Sequence, residues 1–217
     1  MLRMQLQLSR LMENKVTLYG ASGHGKVIID ILESMGWVID SILDDNPNLS
    51  QLLSYPITRP NASMLINTQQ VIISIGNNRV RKILSKSMNC TFATAIHPTS
   101  SISTYARVQE GTVVMAGVII NSESTIGKHC IVNSGAVVEH DCFIDDFVHI
   151  SPNASLAGNV RVMEGAHVGI GASVIQGITI GKWATIGAGS VIINDVPDYA
   201  VVVGNPGKII KYTSANE

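Results

Sequence analysis

Glu139-His140-Asp141 holds the side chains of this chain best suited to moving a proton. An imidazole titrates near neutrality, and a carboxylate beside it can hold one ring nitrogen so that the other accepts a proton. The plainer reading of such a pair is a surface hydrogen bond. Eighteen residues on stands Gly158, whose N–H has no side chain in front of it and suits the oxyanion of a thioester under attack. His149 and His167 share that separation, which raises metal binding as an alternative. No two histidines lie four or five residues apart, so no metal is expected. No suitably paired Ser or Cys stands out as a nucleophile, which favours direct transfer over a covalent intermediate.

A second group lies near the start. Gly20-Ala21-Ser22-Gly23-His24-Gly25 follows the apolar run Val16–Tyr19 and precedes a stretch with helical spacing of apolar residues. Glycines let a backbone approach an anion, and a helix start offers free N–H groups to a phosphate. The order GxxGxG departs from the dinucleotide pattern GxGxxG, and a purely geometric turn is the rival reading. Two further strand candidates, Trp37–Leu43 and Val71–Ile75, end in Asp44-Asp45 and in Gly76-Asn77-Asn78. Strand, glycine turn and helix in alternation predict a small parallel βαβ sheet, whose ligands lie beyond the carboxyl ends of its strands. That places the turn, Asp44, Asp45 and Gly76 around one nucleotide-shaped cleft.

The elements that must carry His140 are set by a repeat. Every sixth residue from Ile96 to Ile192 is Ile, Leu or Val, without exception over seventeen positions. Four residues after each aliphatic the residue is mostly small, and glycine often follows the aliphatic directly, as at Gly127, Gly169, Gly181 and Gly187. Short strands joined by tight corners follow, three to a coil of about eighteen residues, with coils stacked at the ~4.8 Å strand spacing. Seventeen units make between five and six coils. Residues one before each aliphatic point outward; Ile131, Val137 and Phe143 are apolar there, which predicts cover by other subunits, as in a homotrimer. His129 and His167 read as solvated or interface side chains, and His97 beside Pro98 as structural.

Composition narrows the functional class. Of 217 residues 46% are hydrophobic, 14% charged and 5% aromatic, with a formal charge of -1. That balance argues against nucleic acid or an anionic membrane as the main partner, and no apolar run approaches the ~18–20 residues of a membrane span. Three cysteines without CxxC spacing indicate neither a disulfide framework nor a zinc ribbon. The chain reads as a cytoplasmic protein. Its expected organisation is a disordered leader over 1–14 with Met12 as a candidate start, a Rossmann-like domain over 15–90, a β-helix over 91–208, and a tail over 209–217. Pro206 is expected to stop further strand pairing.

Together these motifs resemble the hexapeptide-repeat nucleotide-sugar acetyltransferases, closest to the bacillosamine-pathway enzymes acting on a UDP-4-amino-sugar. The resemblance rests on Gly20–Gly25, Leu43-Asp44-Asp45, Ser74–Asn78 with Arg79, Arg81 and Lys82, Val138–Cys142, and Gly204-Asn205-Pro206. It implies a left-handed coil, and acetyl-CoA and a nucleotide-linked amino sugar as substrates in a trimer. His140 matches the general base, and Asp141 the carboxylate that raises its basicity, where the bacillosamine enzyme typically has Glu. His149, Gly158, Ile170 and Ala188 match the acetyl-CoA cleft, with Ala188 in place of a glycine. Ser22, Gly23, His24, Asp44, Asp45 and Gly76 match the nucleotide-sugar pocket. Gly207 replaces the usual alanine of the terminal motif. Rival activities are a sugar (sialic acid) O-acetyltransferase, a zinc-dependent hydratase of the β-helix type, and a non-catalytic nucleotide-sugar sensor.

Overall fold

In the computed structural model, residues 14–60 and 70–214 are described. They divide into two units, one ending at Pro98 and the other beginning at Thr99. The expected leader, Met12 included, lies outside the described residues apart from Asn14, as do residues 215–217 of the expected tail.

In the first unit the apolar run becomes β1 (Lys15–Tyr19), followed by α1 (Gly23–Ser34), β2 (Val38–Leu43), β3 (Gln51–Leu52), β4 (Tyr55–Thr58), β5 (Gln70–Ile73), α2 (Asn78–Ser87) and β6 (Thr91–Phe92). The sheet order is β3-β4-β2-β1-β5-β6. β1 pairs in parallel with β2 on one side and β5 on the other. The winding therefore reverses at β1, which opens a crevice at its carboxyl end. α1 buries Ile28, Ile29, Ile31 and Leu32. Asn77 caps α2 by accepting the Arg79 and Val80 N–H groups. The sequence ended this domain at residue 90, but Thr91–Phe92 adds a strand to β5, so the unit runs on. Two residues are too few to show a period.

The second unit is a parallel β-helix. Each of the seventeen aliphatic positions is the second residue of a two-residue strand. Strands pair in parallel with those eighteen residues away, as in Val137↔Ser155, Phe143↔Arg161 and His149↔His167. From Ile120 to Ile186 every aliphatic of the series is at most 3% exposed, so the interior is one column of Ile, Val and Leu. Fully burying each such side chain is worth about 1.5–3 kcal/mol. The small residue four places on faces inward as well: Ala136, Ala154, Ala166, Ala172 and Ala184 are fully buried. Cys130 and Cys142 share these inward positions, and burial pushes the Cys142 thiol up.

Corner geometry is carried by a residue other than the glycine that often follows the aliphatic directly. From Val108 to Ile186 the third residue after each aliphatic is left-handed, and half of these are not glycine: Glu123, His129, Asp141, Phe147, Asn153, Asn159 and Trp183 all have φ between +53° and +62°. Gly127, Gly169 and Gly181 serve another purpose. A Cβ there would come within 2.4–2.6 Å of the next coil.

The three corners differ in chemistry. One stacks Gly111, His129, Phe147, Gly165 and Trp183, with the His129 and Phe147 rings parallel at 5.3 Å. His129, expected to be solvated or at an interface, is 4% exposed because Phe147 covers it. Its flank carries Glu110 and Lys128, paired at 2.7 Å. The second corner is bare: Gly117, Gly135, Asn153, Gly171 and Gly189. The third holds Glu123, Asp141, Asn159 and Gly177.

Two further expectations change. Ile131 is buried within the chain itself, and Arg161 lies over Phe143 with its guanidinium 5.0 Å from the ring centre, so the apolar stripe is smaller than its sequence suggests. Pro206 does not end pairing. The chain turns back at Gly204–Gly207, and Lys208–Tyr212 pairs antiparallel with Ala200–Val203, so much of the expected tail is a strand.

Gly165→Ala tests the corner rule. Its φ is +70°, and a Cβ would sit 2.5 Å from the Trp183 ring. Denaturant unfolding should show a loss of about 2–3 kcal/mol. Gly177→Ala has the same backbone demand but open space around it, and should lose about 1 kcal/mol.

Candidate functional sites

At the carboxyl end of β1 the chain turns through Gly20, at φ +116°. A Cβ there would strike Ile75 and the Ser74 carbonyl, and one on Gly25 would meet the Gly20 carbonyl at 2.9 Å. These two glycines are required by packing. Gly23 and Gly76 are not: a Cβ on either meets nothing within 4 Å, and neither has a left-handed φ. Both open onto free space at the strand ends, where a ligand needs room. Ser22 is the N-cap of α1, yet its exposed side chain makes no capping bond, leaving the hydroxyl and the first-turn N–H groups facing outward.

The polar groups beneath this mouth are fixed. Ser74, fully buried, donates to the carbonyls of Tyr19 and Gly20 at 3.1 and 2.5 Å. Arg81 is 1% exposed and donates to the carbonyls of Ile75 and Gly76 and to Asn78 Oδ1. A buried guanidinium thus holds the loop that carries Gly76. Burial, and then the Arg81 charge, hold His24 at about 4, so its imidazole is neutral at pH 7. Its Nε2 is sealed from water and has no hydrogen-bond partner among the described residues.

Asp44 and Asp45 reach the same end of the sheet, with much of their capacity used. Asp44 accepts the N–H groups of Ala21 at 2.7 Å and Asn46 at 2.8 Å. Asp45 accepts the Tyr19 hydroxyl at 2.7 Å, and burial together with that bond pushes the phenol up to about 12. The sequence placed both carboxylates around a nucleotide-shaped cleft. The structure shows that they first tie the glycine turn to β2. Sequence reasoning gave no role to Ser74 or Tyr19 and quoted Arg81 only within a motif, because in a helix that also carries Arg79, Lys82 and Lys86 nothing in the residue types marks Arg81 as the buried one.

In the second unit the register places His140 as the spacing predicted. His140 Nδ1 and Asp141 Oδ2 are 2.7 Å apart, with both side chains largely exposed on this chain. Asp141 is one of the left-handed corner residues, at φ +62°. The imidazole lies over Gly158: a Cβ there would be 2.6 Å from Cε1 and 2.7 Å from Nε2. The ladder takes the N–H groups of Ala157 and Asn159, and among the described residues passes over that of Gly158 between them. An imidazole, the carboxylate bonded to it and a bare amide therefore share one corner.

His149 and His167 lie on another face, rings parallel and 4.7 Å apart. His149 Nε2 is 3.1 Å from Asn133 Nδ2, and His167 Nε2 is 2.8 Å from Ser151 Oγ. Parallel rings point their nitrogens side by side rather than at a common centre. Among the described residues no group of three or more His, Cys, Asp or Glu converges as a metal site. Ile170 is exposed beside the bare glycine corner, and Ala188, one coil on, is exposed as well. Among the described residues no helix is long and apolar enough to cross a membrane.

Comparison with known proteins bears on both units. Residues 15–88 match the PglD N-terminal domain. A curated relative, UDP-N-acetylbacillosamine N-acetyltransferase of Bacillus subtilis (strain 168), is 43% identical over 110 residues, which span 46% of this chain and 51% of that one. The chain thus spans about half the length of the curated relative. A solved structure of GDP-perosamine N-acetyl transferase from Caulobacter crescentus, a point mutant in complex with CoA and GDP-perosamine, is 37% identical with a TM-score of 0.87, covering 91% of this chain and 97% of that one. The acetyltransferase domain of PglB from Neisseria gonorrhoeae FA1090, in complex with acetyl coenzyme A, is 34% identical with a TM-score of 0.85, covering 91% and 99%. Likeness at that identity over nearly the full length of both chains settles the grouping: this chain belongs to the hexapeptide-repeat nucleotide-sugar N-acetyltransferase family.

Proposed function

We propose that this protein transfers the acetyl group of acetyl-CoA to the amino group of a nucleotide-linked amino-dideoxy sugar, with a UDP-4-amino-sugar as the favoured acceptor. The observation that carries the chemistry is the His140 ring, held at Nδ1 by Asp141 and lying over the bare amide of Gly158. With Nδ1–H donated to the carboxylate, Nε2 is the basic nitrogen. It takes a proton from the sugar amine as the nitrogen attacks the thioester carbonyl. The Gly158 N–H steadies the oxyanion, and the C–S bond breaks to release the CoA thiolate. His149, Ile170 and Ala188 line the acetyl-CoA side. The mouth of the first unit, with Ser22, Gly23, His24, Asp44, Asp45 and Gly76, holds the nucleotide sugar. The α1 N–H groups take up phosphate charge there.

A homotrimer in the cytoplasm completes the reading. The exposed His140 corner on one chain would then be enclosed against the bare glycine corner of a neighbour. Shared occupancy of such a groove turns an encounter of two substrates into a local event. The relatives bear on the acceptor from two directions, one named for a UDP-sugar and another bound to a GDP-sugar.

The direct test is a thiol-release assay with acetyl-CoA and a panel of UDP- and GDP-linked sugars, each carrying an amine or a hydroxyl at the acceptor carbon. Turnover confined to amino sugars is the expected result. Turnover of hydroxyl sugars would make the protein an O-acetyltransferase, and binding without any thiol release would make it a sensor. His140→Ala should lower kcat by ~10²-fold or more, and an unchanged rate would remove the base. Gly23→Ala meets no neighbour, so its melting temperature should match the parent, while KM for the nucleotide sugar rises roughly tenfold with kcat unchanged.

A further inference from the structure

We infer that Ser124 is a positioning residue for the catalytic turn: its hydroxyl, one coil before His140, clamps both ends of the segment Glu139–Cys142. The inference rests on His140 acting as the base. Ser124 is fully buried, at one of the inward small positions of the repeat. Its Oγ donates to the Glu139 carbonyl at 2.6 Å and accepts the Cys142 N–H at 3.1 Å. Between those two bonds lie only His140 and Asp141. Both side chains are exposed, so core packing does not fix them, and the backbone of the turn must. That backbone includes a left-handed Asp141, a conformation that non-glycine residues keep only when their surroundings enforce it. The next rung continues the arrangement, with Cys142 Sγ donating to the Ala157 carbonyl at 3.3 Å, just before Gly158.

The fold itself does not require a hydroxyl at such a place. Ala136, Ala154, Ala166, Ala172 and Ala184 occupy the equivalent inward position, and the coil closes around them. The chain also contains its own control. Thr112 makes the same pair of bonds, to the Gly127 carbonyl at 2.7 Å and from the Cys130 N–H at 2.9 Å, around the turn that carries Lys128 and His129. That turn belongs to the charged and aromatic corner and holds none of the proposed machinery. Ser124 and Thr112 are therefore equal in bonding and differ in what they hold.

The experiment compares Ser124→Ala, Ser124→Thr and Thr112→Ala in full-length protein, measuring melting temperature, kcat, and KM for acetyl-CoA and for the nucleotide sugar. Small misplacement of reacting groups is costly. Ser124→Ala should lower kcat by roughly tenfold while both KM values stay within about twofold. Ser124→Thr should restore kcat, as Thr112 shows that the extra methyl is accommodated in this kind of site. Thr112→Ala should lose a similar amount of melting temperature and keep kcat. An unchanged kcat in Ser124→Ala, or an equal kcat loss in Thr112→Ala, would overturn the assignment. If Ser124→Ala does not fold, Ser124→Cys retains a weaker donor of the type already present at Cys130 and Cys142. Its kcat should then fall between parent and background, and full activity would overturn the inference. His140→Ala run alongside separates the two claims: loss of activity there with a normal Ser124→Ala sinks only the positioning role.

Discussion

Everything in the second unit hangs on the ladder that joins each strand to the one eighteen residues away. Its bonds, such as His149 N–H to the Ala166 carbonyl at 3.0 Å, leave little freedom in how one coil lies on the next. A residue's neighbours are consequently set by its position modulo eighteen. That is why an imidazole and a glycine far apart in a conventional sense meet at van der Waals distance. It is also why the aliphatic column tolerates no exception over seventeen places: one polar residue there would be enclosed by apolar neighbours above and below.

Within that register the three corners have been put to different uses. The charged and aromatic corner closes on itself through stacked rings and the Lys128–Glu110 pair. The glycine corner presents almost nothing but backbone. The third carries the His140–Asp141 pair, its turn bonded from within by Ser124 as the turn of the aromatic corner is by Thr112. The first unit shows a comparable division of labour among glycines. Gly20 and Gly25 are demanded by close packing, whereas Gly23 and Gly76 leave space that no protein atom occupies.

Periodicity made the coil, the inward column and the stacking of His140 on Gly158 legible before any coordinates. The alternation of strand, turn and helix likewise located the first unit's mouth. What escaped were features that depend on where a bond ends rather than on residue type. Asp44 and Asp45 looked available because their commitments to Ala21, Asn46 and Tyr19 arise only once β1 and β2 are paired. The left-handed corner residue was missed because glycine fills only some of its occurrences, with Phe147 and Trp183 among the others. Thr91–Phe92 and Lys208–Tyr212 are strands made by a partner already in place, so a short or irregular sequence suffices.

The eighteen-residue register has a consequence for how such chains can change length. Adding or removing an entire coil outside the His140–Gly158 span leaves every surviving column facing as before, and simply makes the prism taller or shorter. Adding a single six-residue unit between them would instead rotate all later columns by one face, carrying Gly158 away from the imidazole while leaving the apolar interior intact. Growth of this architecture is thus quantised by chemistry rather than by stability, in steps of three repeats.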